Sequence, residues 1–262
     1  MWLENKKVWS ETYTVRTYEI DKEQKASVQP ICRYLFDAAG NHADALGLSV
    51  PQLFKKGLTW MLSRFFIQIH SYPRWRDELI IQTWPSGIER FFALRDFIIF
   101  NSRKEVVGVA TSAWLTIDLK LRRPLPAVKL FSNQDRILDY RSSKALPAKL
   151  PPVDKPQKEQ NFNVRYSDLD LNEHVTSASY IDWLLEIIPP PVRKEKLLKE
   201  LELNFISEAV YGDSVKAIIE EHEYTGKAER LFNHCVIRKA GNAGTQIEQK
   251  NQELVRAKSH WV

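Results

Sequence analysis

The sequence repeats itself once, and this duplication limits the possible folds more than any other feature. At an offset of 149 positions (164 − 15), Val15-Arg16 recurs as Val164-Arg165, and Asp21 recurs as Asp170. The same offset aligns two apolar stripes with the i, i+3, i+4, i+7, i+8 spacing of an amphipathic helix. The paired positions are Ile31, Tyr34, Leu35, Ala38 and Ala39 in the first half and Tyr180, Trp183, Leu184, Ile187 and Ile188 in the second. The pattern indicates a diverged internal duplication of one supersecondary unit.

Each predicted helix has its own start and stop signals. In the first half, Pro30 suits the first turn of a helix and Gly47 is a candidate stop. In the second half, Thr176 or Ser177 can cap the start, and Pro189-Pro190-Pro191 prevents continuation. Both halves therefore contain one amphipathic helix with a largely buried face.

Strand-like segments surround both helices. Each helix follows one extended run, at residues 13–20 and from Asn161, and precedes four apolar runs rich in aromatic and β-branched residues. The first four runs are Leu58 to Ile69, Glu78 to Trp84, Phe91 to Phe100 and Val106 to Ile117. The other four are Leu201 to Glu208, Ser214 to Glu221, Arg230 to Arg238 and Gln246 to Val262, the last three separated by Gly226 and by Gly241-Asn242-Ala243-Gly244. The pattern predicts an α+β fold in which each half is a long helix against a mostly antiparallel sheet.

Proline is concentrated between the halves. Residues 118–160 hold six of the 13 prolines, at positions 124, 126, 147, 151, 152 and 156. This composition favours a linker, with a short helical piece near Asp135 to Tyr140. We therefore predict an N-terminal repeat at 1–125, a proline-rich linker at 126–158 and a C-terminal repeat at 159–262.

A polar cluster precedes the second helix. Asp170, Asn172 and His174 alternate along the chain, and residues two apart in an extended segment point to the same side. The three side chains would then converge beside the helix N-terminus, where partial positive charge favours a developing oxyanion. The alternative is an ordinary turn, since Asp and Asn favour loops and caps. Only the second half has the amide and the imidazole, because Glu23 and Lys25 stand at these positions in the first.

Composition narrows the classes of function. The two cysteines, Cys32 and Cys235, lie far apart and suit a reducing compartment as buried thiols. The histidines outside the cluster show no metal-ligand spacing, so we expect no metal. The net charge is +5, and acidic residues alternate with the basic ones along most of the chain. The absence of a concentrated basic stripe argues against nucleic-acid binding, but the net positive charge permits an acidic protein partner. Without a membrane-length apolar run or a signal-peptide core, the sequence predicts a cytoplasmic protein with no membrane span.

Several separated motifs, in the right order, resemble those of the acyl-acyl-carrier-protein thioesterases, and the resemblance spans residues 10–260. They are Asp168-Leu-Asp-Leu-Asn-Glu-His-Val175 followed by Tyr180 and Trp183, Ile81-Gln-Thr-Trp-Pro-Ser-Gly87 with Arg95-Asp96, and Glu208 within Phe205 to Asp213. The resemblance implies two tandem hotdog repeats, each a long central helix wrapped by an antiparallel sheet. Because no transit peptide is evident, the chain resembles a bacterial member.

The resemblance also implies a catalytic set of Asp170, Asn172, His174 and Glu208, acting without a cofactor on a fatty acyl chain carried by acyl carrier protein. In this family Glu208 would be the general base or water-positioning carboxylate, and Asn172 would orient water or substrate. His174 would donate to the thioester or share the water, and Asp170 would orient the network. Plant members often have Cys after the glutamate. Here that residue is Ala209, which excludes a thiolate at this position.

Binding of the acyl chain is predicted for the first repeat. Ala38 and Ala39 stand where the second half has the larger Ile187 and Ile188, which would leave room for a fatty tail. Trp84 is a further candidate substrate contact.

Alternative functions include an acyl-CoA thioesterase, a dehydratase of related fold and, from another class, a non-catalytic acyl-binding module. A binding module has no need for Asn172, His174 and Glu208 together. The preferred chain length stays open, and a homodimer is possible.

Overall fold

The same order of helix and strands occurs twice along the chain. A computed structural model describes residues 7–130, 136–143, 148–222, 229–240 and 251–262. The chain divides into two compact units, Met1–Pro147 (unit 1) and Ala148–Val262 (unit 2). Each unit combines one main helix with an antiparallel sheet, so the predicted α+β class is confirmed.

Unit 1 contains a sheet with strand order β1-β3-β4-β5-β2, with β6 paired to the end of β5. Helix α1 packs on β1 and β3. The elements are β1 (Trp9–Thr14), α1 (Val28–Ala45), α2 (Val50–Phe54), β2 (Leu58–Ile69), β3 (Glu78–Glu89), β4 (Phe92–Asn101), β5 (Val106–Asp118) and β6 (Arg123–Leu125).

Unit 2 repeats this order as β7-β9-β10-β11-β8. Helix α3 packs on β9 and β10. The elements are β7 (Lys158–Asn163), α3 (Ser177–Glu186), α4 (Pro190–Glu195), β8 (Leu198–Phe205), β9 (Ser214–His222), β10 (Arg230–Arg238) and β11 (Gln252–Trp261).

The predicted helix ends agree with the structure at three points. Thr176 is the N-cap of α3, and its side chain accepts a hydrogen bond from the Ser179 N–H. Gly47 follows the end of α1 with φ of 74°, the left-handed conformation that glycine adopts easily. The triple proline does end α3, but Pro190 also begins α4, because proline suits the first turn of a helix.

The strand predicted at residues 13–20 is wrong in position. Strand β1 ends at Thr14, and Thr17–Glu19 forms a single 3₁₀ turn. The Glu19 carboxylate accepts the Arg16 N–H at 2.7 Å, and this local bond draws the chain out of the extended conformation.

The linker segment lies against the units on either side of it. The backbone N–H of Leu138 donates to the Pro85 carbonyl, and Arg141 forms a 2.7 Å ion pair with buried Asp96. In unit 2, the N–H of Leu150 donates to the Asn204 side chain at 2.8 Å. Asp135, the start of the predicted helical piece, lies outside the described residues, and Ile137 to Tyr140 are not helical. Their polar groups bond to unit 1 instead.

Three predicted features fall partly or wholly outside the described residues. They are the start of the Gln246 strand and the separators Gly226 and Gly241-Asn242-Ala243-Gly244. Among the helices that are described, none is long and apolar enough to cross a membrane.

Two buried histidines make the stability of the folded protein depend on pH. His42 on α1 accepts a hydrogen bond at Nδ1 from Arg95, a geometry that requires a neutral ring, and His234 on β10 contacts the Ser259 hydroxyl at 2.7 Å. Burial lowers the pKa of both imidazoles to about 3, and for His42 the nearby Arg95 charge contributes to this shift. In the unfolded chain each pKa returns to about 6.5.

We expect the free energy of unfolding to fall as pH drops below 6.5, because the unfolded chain binds these two protons and the folded chain excludes them until about pH 3. By pH 5 each histidine should cost about 2 kcal/mol. Urea unfolding at pH 7 and pH 5 measures the loss, and His42→Gln should remove its share of the pH dependence. An unchanged pH dependence in this variant would contradict the assignment.

Candidate active site

The polar cluster of unit 2 is a closed turn and not an extended run. Asp170 donates its N–H to the His174 carbonyl at 2.8 Å, and Leu169 pairs with Val175. Glu173 has φ of 61°, in the left-handed region. The prediction of alternation in an extended segment is therefore wrong, and the turn alternative describes the backbone.

The Asp170 side chain organises this turn. Its Oδ1 accepts the N–H of Asn172 at 2.7 Å and that of His174 at 3.3 Å. Its Oδ2 accepts from the side-chain amide of Asn172 at 3.2 Å. Asp170 thereby fixes the side-chain amide of Asn172 and the backbone of His174 relative to each other; its role in catalysis stays a prediction.

The base of the turn is anchored by Asp168. Arg165 donates its backbone N–H and two guanidinium N–H groups to the buried Asp168 carboxylate. Burial raises the pKa of Asp168, but these hydrogen bonds outweigh it, so the net pKa lies below the ordinary value. The Asp168 carbonyl accepts the Thr176 N–H, which joins the turn to the start of α3.

The segment after β8 brings Glu208 to this turn. His174 forms a β-bridge with Val210, and the Val175 N–H donates to the Ala209 carbonyl at 2.9 Å. These bonds place the Glu208 carboxylate 3.2 Å from His174 Nδ1. Both side chains are about one third exposed, so a substrate can reach them. Asp170, Asn172, His174 and Glu208 are thus brought together in one site.

Three backbone N–H groups at the start of α3 are candidates to stabilise an oxyanion. Val175 donates to Ala209, and Thr176 donates to Asp168. Ser177 is the first residue of α3, so its N–H has no partner within the helix. Of the three N–H groups, it is the one that makes no backbone hydrogen bond to any described residue.

Unit 1 builds the same turn without the reactive groups. Asp21 accepts the N–H groups of Glu23 and Lys25 with its carboxylate, and the Ala26 N–H donates to the Pro73 carbonyl. The last bond is equivalent to that between Val175 and Ala209, so Tyr72 stands where unit 2 has Glu208. The sequence did not reveal this pairing, because the offset falls from 149 to 136 (209 − 73) beyond the helices; α1 has 18 residues and α3 has 10, which accounts for 8 of the 13 positions (149 − 136).

The site also includes a tyrosine hydroxyl, and the sequence did not identify this tyrosine as functional. Tyr180 on α3 is predicted as part of the apolar stripe and of the motif that resembles the family, with no functional role, and it is 3% exposed. Its hydroxyl accepts the N–H of Ala209, the residue after Glu208, at 3.1 Å. The sequence signals were its place in that motif and a polar atom on an otherwise apolar face.

The predicted acyl-binding residues of unit 1 do not all lie together. Ala38 and Ala39 are on the buried face of α1, at 0% and 5% exposure. Arg95 and Thr83 share the face of the sheet that bonds to α1, whereas Trp84 has the opposite orientation in β3. The Trp84 indole donates to the Tyr140 carbonyl at 2.9 Å. Its role in substrate binding stays a prediction.

Within the described ranges, no group of three or more His, Cys, Asp or Glu is arranged to hold a metal ion. Cys32 and Cys235 are buried and form no disulfide bond. Burial raises the pKa of Cys235 to about 12, which keeps that thiol protonated.

Curated relatives match most of this chain but extend beyond it. A chloroplastic palmitoyl-acyl carrier protein thioesterase of Gossypium hirsutum is 31% identical over 214 residues, 76% of this chain and 51% of that protein. A chloroplastic oleoyl-acyl carrier protein thioesterase of Coriandrum sativum is 31% identical over 229 residues, 80% of this chain and 62% of that protein. The chain thus spans between half and two thirds of the length of these relatives.

Solved structures share the fold. A 12:0-ACP thioesterase from Umbellularia californica has a TM-score of 0.85 at 20% identity, covering 98% of this chain and 94% of that one. An acyl-ACP thioesterase from Bacteroides thetaiotaomicron has a TM-score of 0.77 at 23% identity, covering 98% of both chains. At these identities the likeness shows the fold alone.

Family models match both halves of the chain. The model of the acyl-ACP thioesterase N-terminal domain matches residues 6–130, and that of the C-terminal domain matches residues 153–256. The two domains occur in the order in which the sequence is duplicated, and the polar turn lies within the second. The chain therefore belongs to the acyl-ACP thioesterase family.

Proposed function

We propose that this chain hydrolyses the thioester of fatty acyl-acyl-carrier protein, releasing the free fatty acid and ending chain elongation. The contact between Glu208 and His174, beside the Asp170–Asn172 pair, is the observation that carries the proposal. The two family-domain matches support the substrate class, and so do the curated relatives, which are named acyl carrier protein thioesterases.

The proposed reaction is attack of water on the thioester carbonyl. Glu208 takes a proton from the water as its oxygen bonds to the carbonyl carbon. When the C–S bond breaks, the Glu208–His174 pair returns that proton to the departing sulfur, so the products are a carboxylic acid and a thiol. Asn172 orients the water or the substrate, and Asp170 keeps the turn in place. No covalent enzyme intermediate and no cofactor are needed.

The oxyanion of the tetrahedral intermediate requires hydrogen-bond donors. We assign this role to the Ser177 N–H at the start of α3, where the helix dipole adds partial positive charge. The preceding N–H groups, those of Val175 and Thr176, are engaged in the fold.

In this proposal one unit binds the acyl chain and the other carries out catalysis. Each is a hotdog repeat, with the N-terminal repeat at 1–125 binding the acyl chain, a linker at 126–158 and the catalytic repeat at 159–262. Unit 1 keeps the turn but has Glu23, Lys25 and Tyr72 in place of the reactive groups, which supports the division. We further propose a cytoplasmic location and a homodimer as the assembly to test by sedimentation.

The decisive experiment is hydrolysis of a panel of acyl thioesters. The purified chain should cleave acyl-carrier-protein esters faster than the matching coenzyme A esters. Preference for coenzyme A would instead establish an acyl-CoA thioesterase. Binding without hydrolysis of any ester would establish a non-catalytic acyl-binding module.

We expect kcat/KM for the carrier-bound substrate to fall several-fold, roughly three- to tenfold, between 50 and 500 mM salt, because screening weakens attraction between a basic protein and an acidic carrier. The chain has a net charge of +5. An uncharged acyl thioester of N-acetylcysteamine is the control and should show a flat response. A flat response for the carrier-bound ester would contradict charge-steered docking.

A further inference from the structure

The two units share the turn but differ at the positions that surround it. Both turns are organised by an aspartate, Asp21 or Asp170, and both are closed by the same backbone bond to the neighbouring segment. Three of the differing positions carry the proposed catalytic residues Asn172, His174 and Glu208 in unit 2. The fourth lies on the main helix, where the 149-residue offset pairs Ile31 of unit 1 with Tyr180 of unit 2.

Tyr180 holds the peptide bond that follows Glu208. Its hydroxyl accepts the Ala209 N–H at 3.1 Å, and this N–H belongs to the peptide unit that joins the two residues. The ring is fixed on α3 by edge-to-face contacts with Trp183 and Phe205, at centroid distances of 5.4 and 6.1 Å. Burial raises the pKa of Tyr180, so the hydroxyl stays protonated over the working pH range.

Unit 1 shows that the turn folds without such a hydroxyl. Pro73, the counterpart of Ala209, has no N–H to satisfy, and Ile31 has no polar atom to offer. The bond from Ala26 to the Pro73 carbonyl still forms. The tyrosine is therefore present in the unit that carries Glu208 and is dispensable for the backbone arrangement itself.

We propose that Tyr180 is a positioning residue that keeps the Glu208 carboxylate against His174 by fixing the Glu208–Ala209 peptide. This inference rests on the proposed function. The hydroxyl acts on the carboxylate through the backbone. Without it, the peptide can rotate and Glu208 spends less time in contact with His174.

The first test is Tyr180→Phe, which removes the hydroxyl and keeps the ring. We expect kcat to fall about tenfold with KM changed less than twofold, since orientation of a catalytic group acts on the chemical step. The NMR signals of the His174 ring should move toward those of Glu208→Gln. Tyr34→Phe is the matched control, because Tyr34 is a helix tyrosine of unit 1 whose hydroxyl donates to Glu19. It should leave kcat and the His174 signals unchanged.

The second test separates positioning from simple satisfaction of a buried N–H. Tyr180→Phe leaves the buried Ala209 N–H without the Tyr180 acceptor, so this variant should also have a lower Tm. If satisfying this N–H were the only role of the hydroxyl, kcat and the His174 signals measured well below the Tm would equal those of the unchanged protein, and that result would overturn the proposal. These signals need no turnover, so they test the positioning even if acyl-carrier-protein esters are not the substrates.

Discussion

Glu208→Gln and His174→Ala should each lower kcat by about 10² or more, the range typical of lost acid–base groups. Glutamine has nearly the shape of glutamate but cannot take a proton from water. Alanine removes the imidazole that lies 3.2 Å from the carboxylate. Rate measurements with saturating acyl-acyl-carrier protein, together with thermal unfolding, test both variants.

Both proteins should stay folded, because the side chains of Glu208 and His174 are partly exposed and lie at the surface of unit 2. Glu173→Gln is the matched control, since Glu173 belongs to the same turn and is exposed. It should retain normal turnover. Near-normal turnover by Glu208→Gln or His174→Ala would remove that residue from the proposed mechanism.

The double variant Glu208→Gln/His174→Ala sharpens this test. If the two groups act as one unit, kcat of the double variant should be close to kcat of the less active single variant. Removing either group already abolishes the shared function. Losses that multiply would show that the two groups act independently despite their contact.

Ala38→Phe should lower kcat/KM for long acyl chains by about a hundredfold while sparing short ones. Each buried methylene contributes about 0.8 kcal/mol, so excluding the last four carbons of a chain costs about 3 kcal/mol. Ala38 is fully buried on the face of α1 that packs on the sheet of unit 1. A panel of substrates of increasing chain length measures the effect.

Ala45→Phe is the control, because Ala45 is the exposed last residue of the same helix. It should leave the chain-length profile unchanged. A uniform loss for all chain lengths in Ala38→Phe, or unfolding, would mean that Ala38 and Ala39 are packing residues that allow close approach of the sheet. The fatty tail would then lie elsewhere.

The sequence predicted the parts of the fold that depend on local periodicity. The two apolar stripes located α1 and α3, and the aromatic and β-branched runs located their strands, with β2 and β10 matching the predicted bounds. It did not predict α2, α4 or β6, which are too short to show a period. A short element depends on its neighbours more than on its own side chains.

The spacing of polar residues also named Asp170, Asn172 and His174, and the family resemblance added Glu208, but the backbone geometry predicted for the cluster was wrong. The alternation of Asp170, Asn172 and His174 suggested an extended segment. The backbone instead closes into a turn because the Asp170 carboxylate accepts nearby N–H groups. Such side-chain bonds compete with extended structure and leave no periodic signal.

Only the tertiary structure decided which distant groups touch. The sequence by itself determined the duplication, the α+β class, and the loss of the amide and imidazole from the first half. The contact of Glu208 with His174 and the bond from Ala209 to Tyr180 each join segments of unit 2 that are separated along the chain. They depend on strand register and on helix length, because a side chain reaches a distant partner only after the backbone of both segments has been fixed.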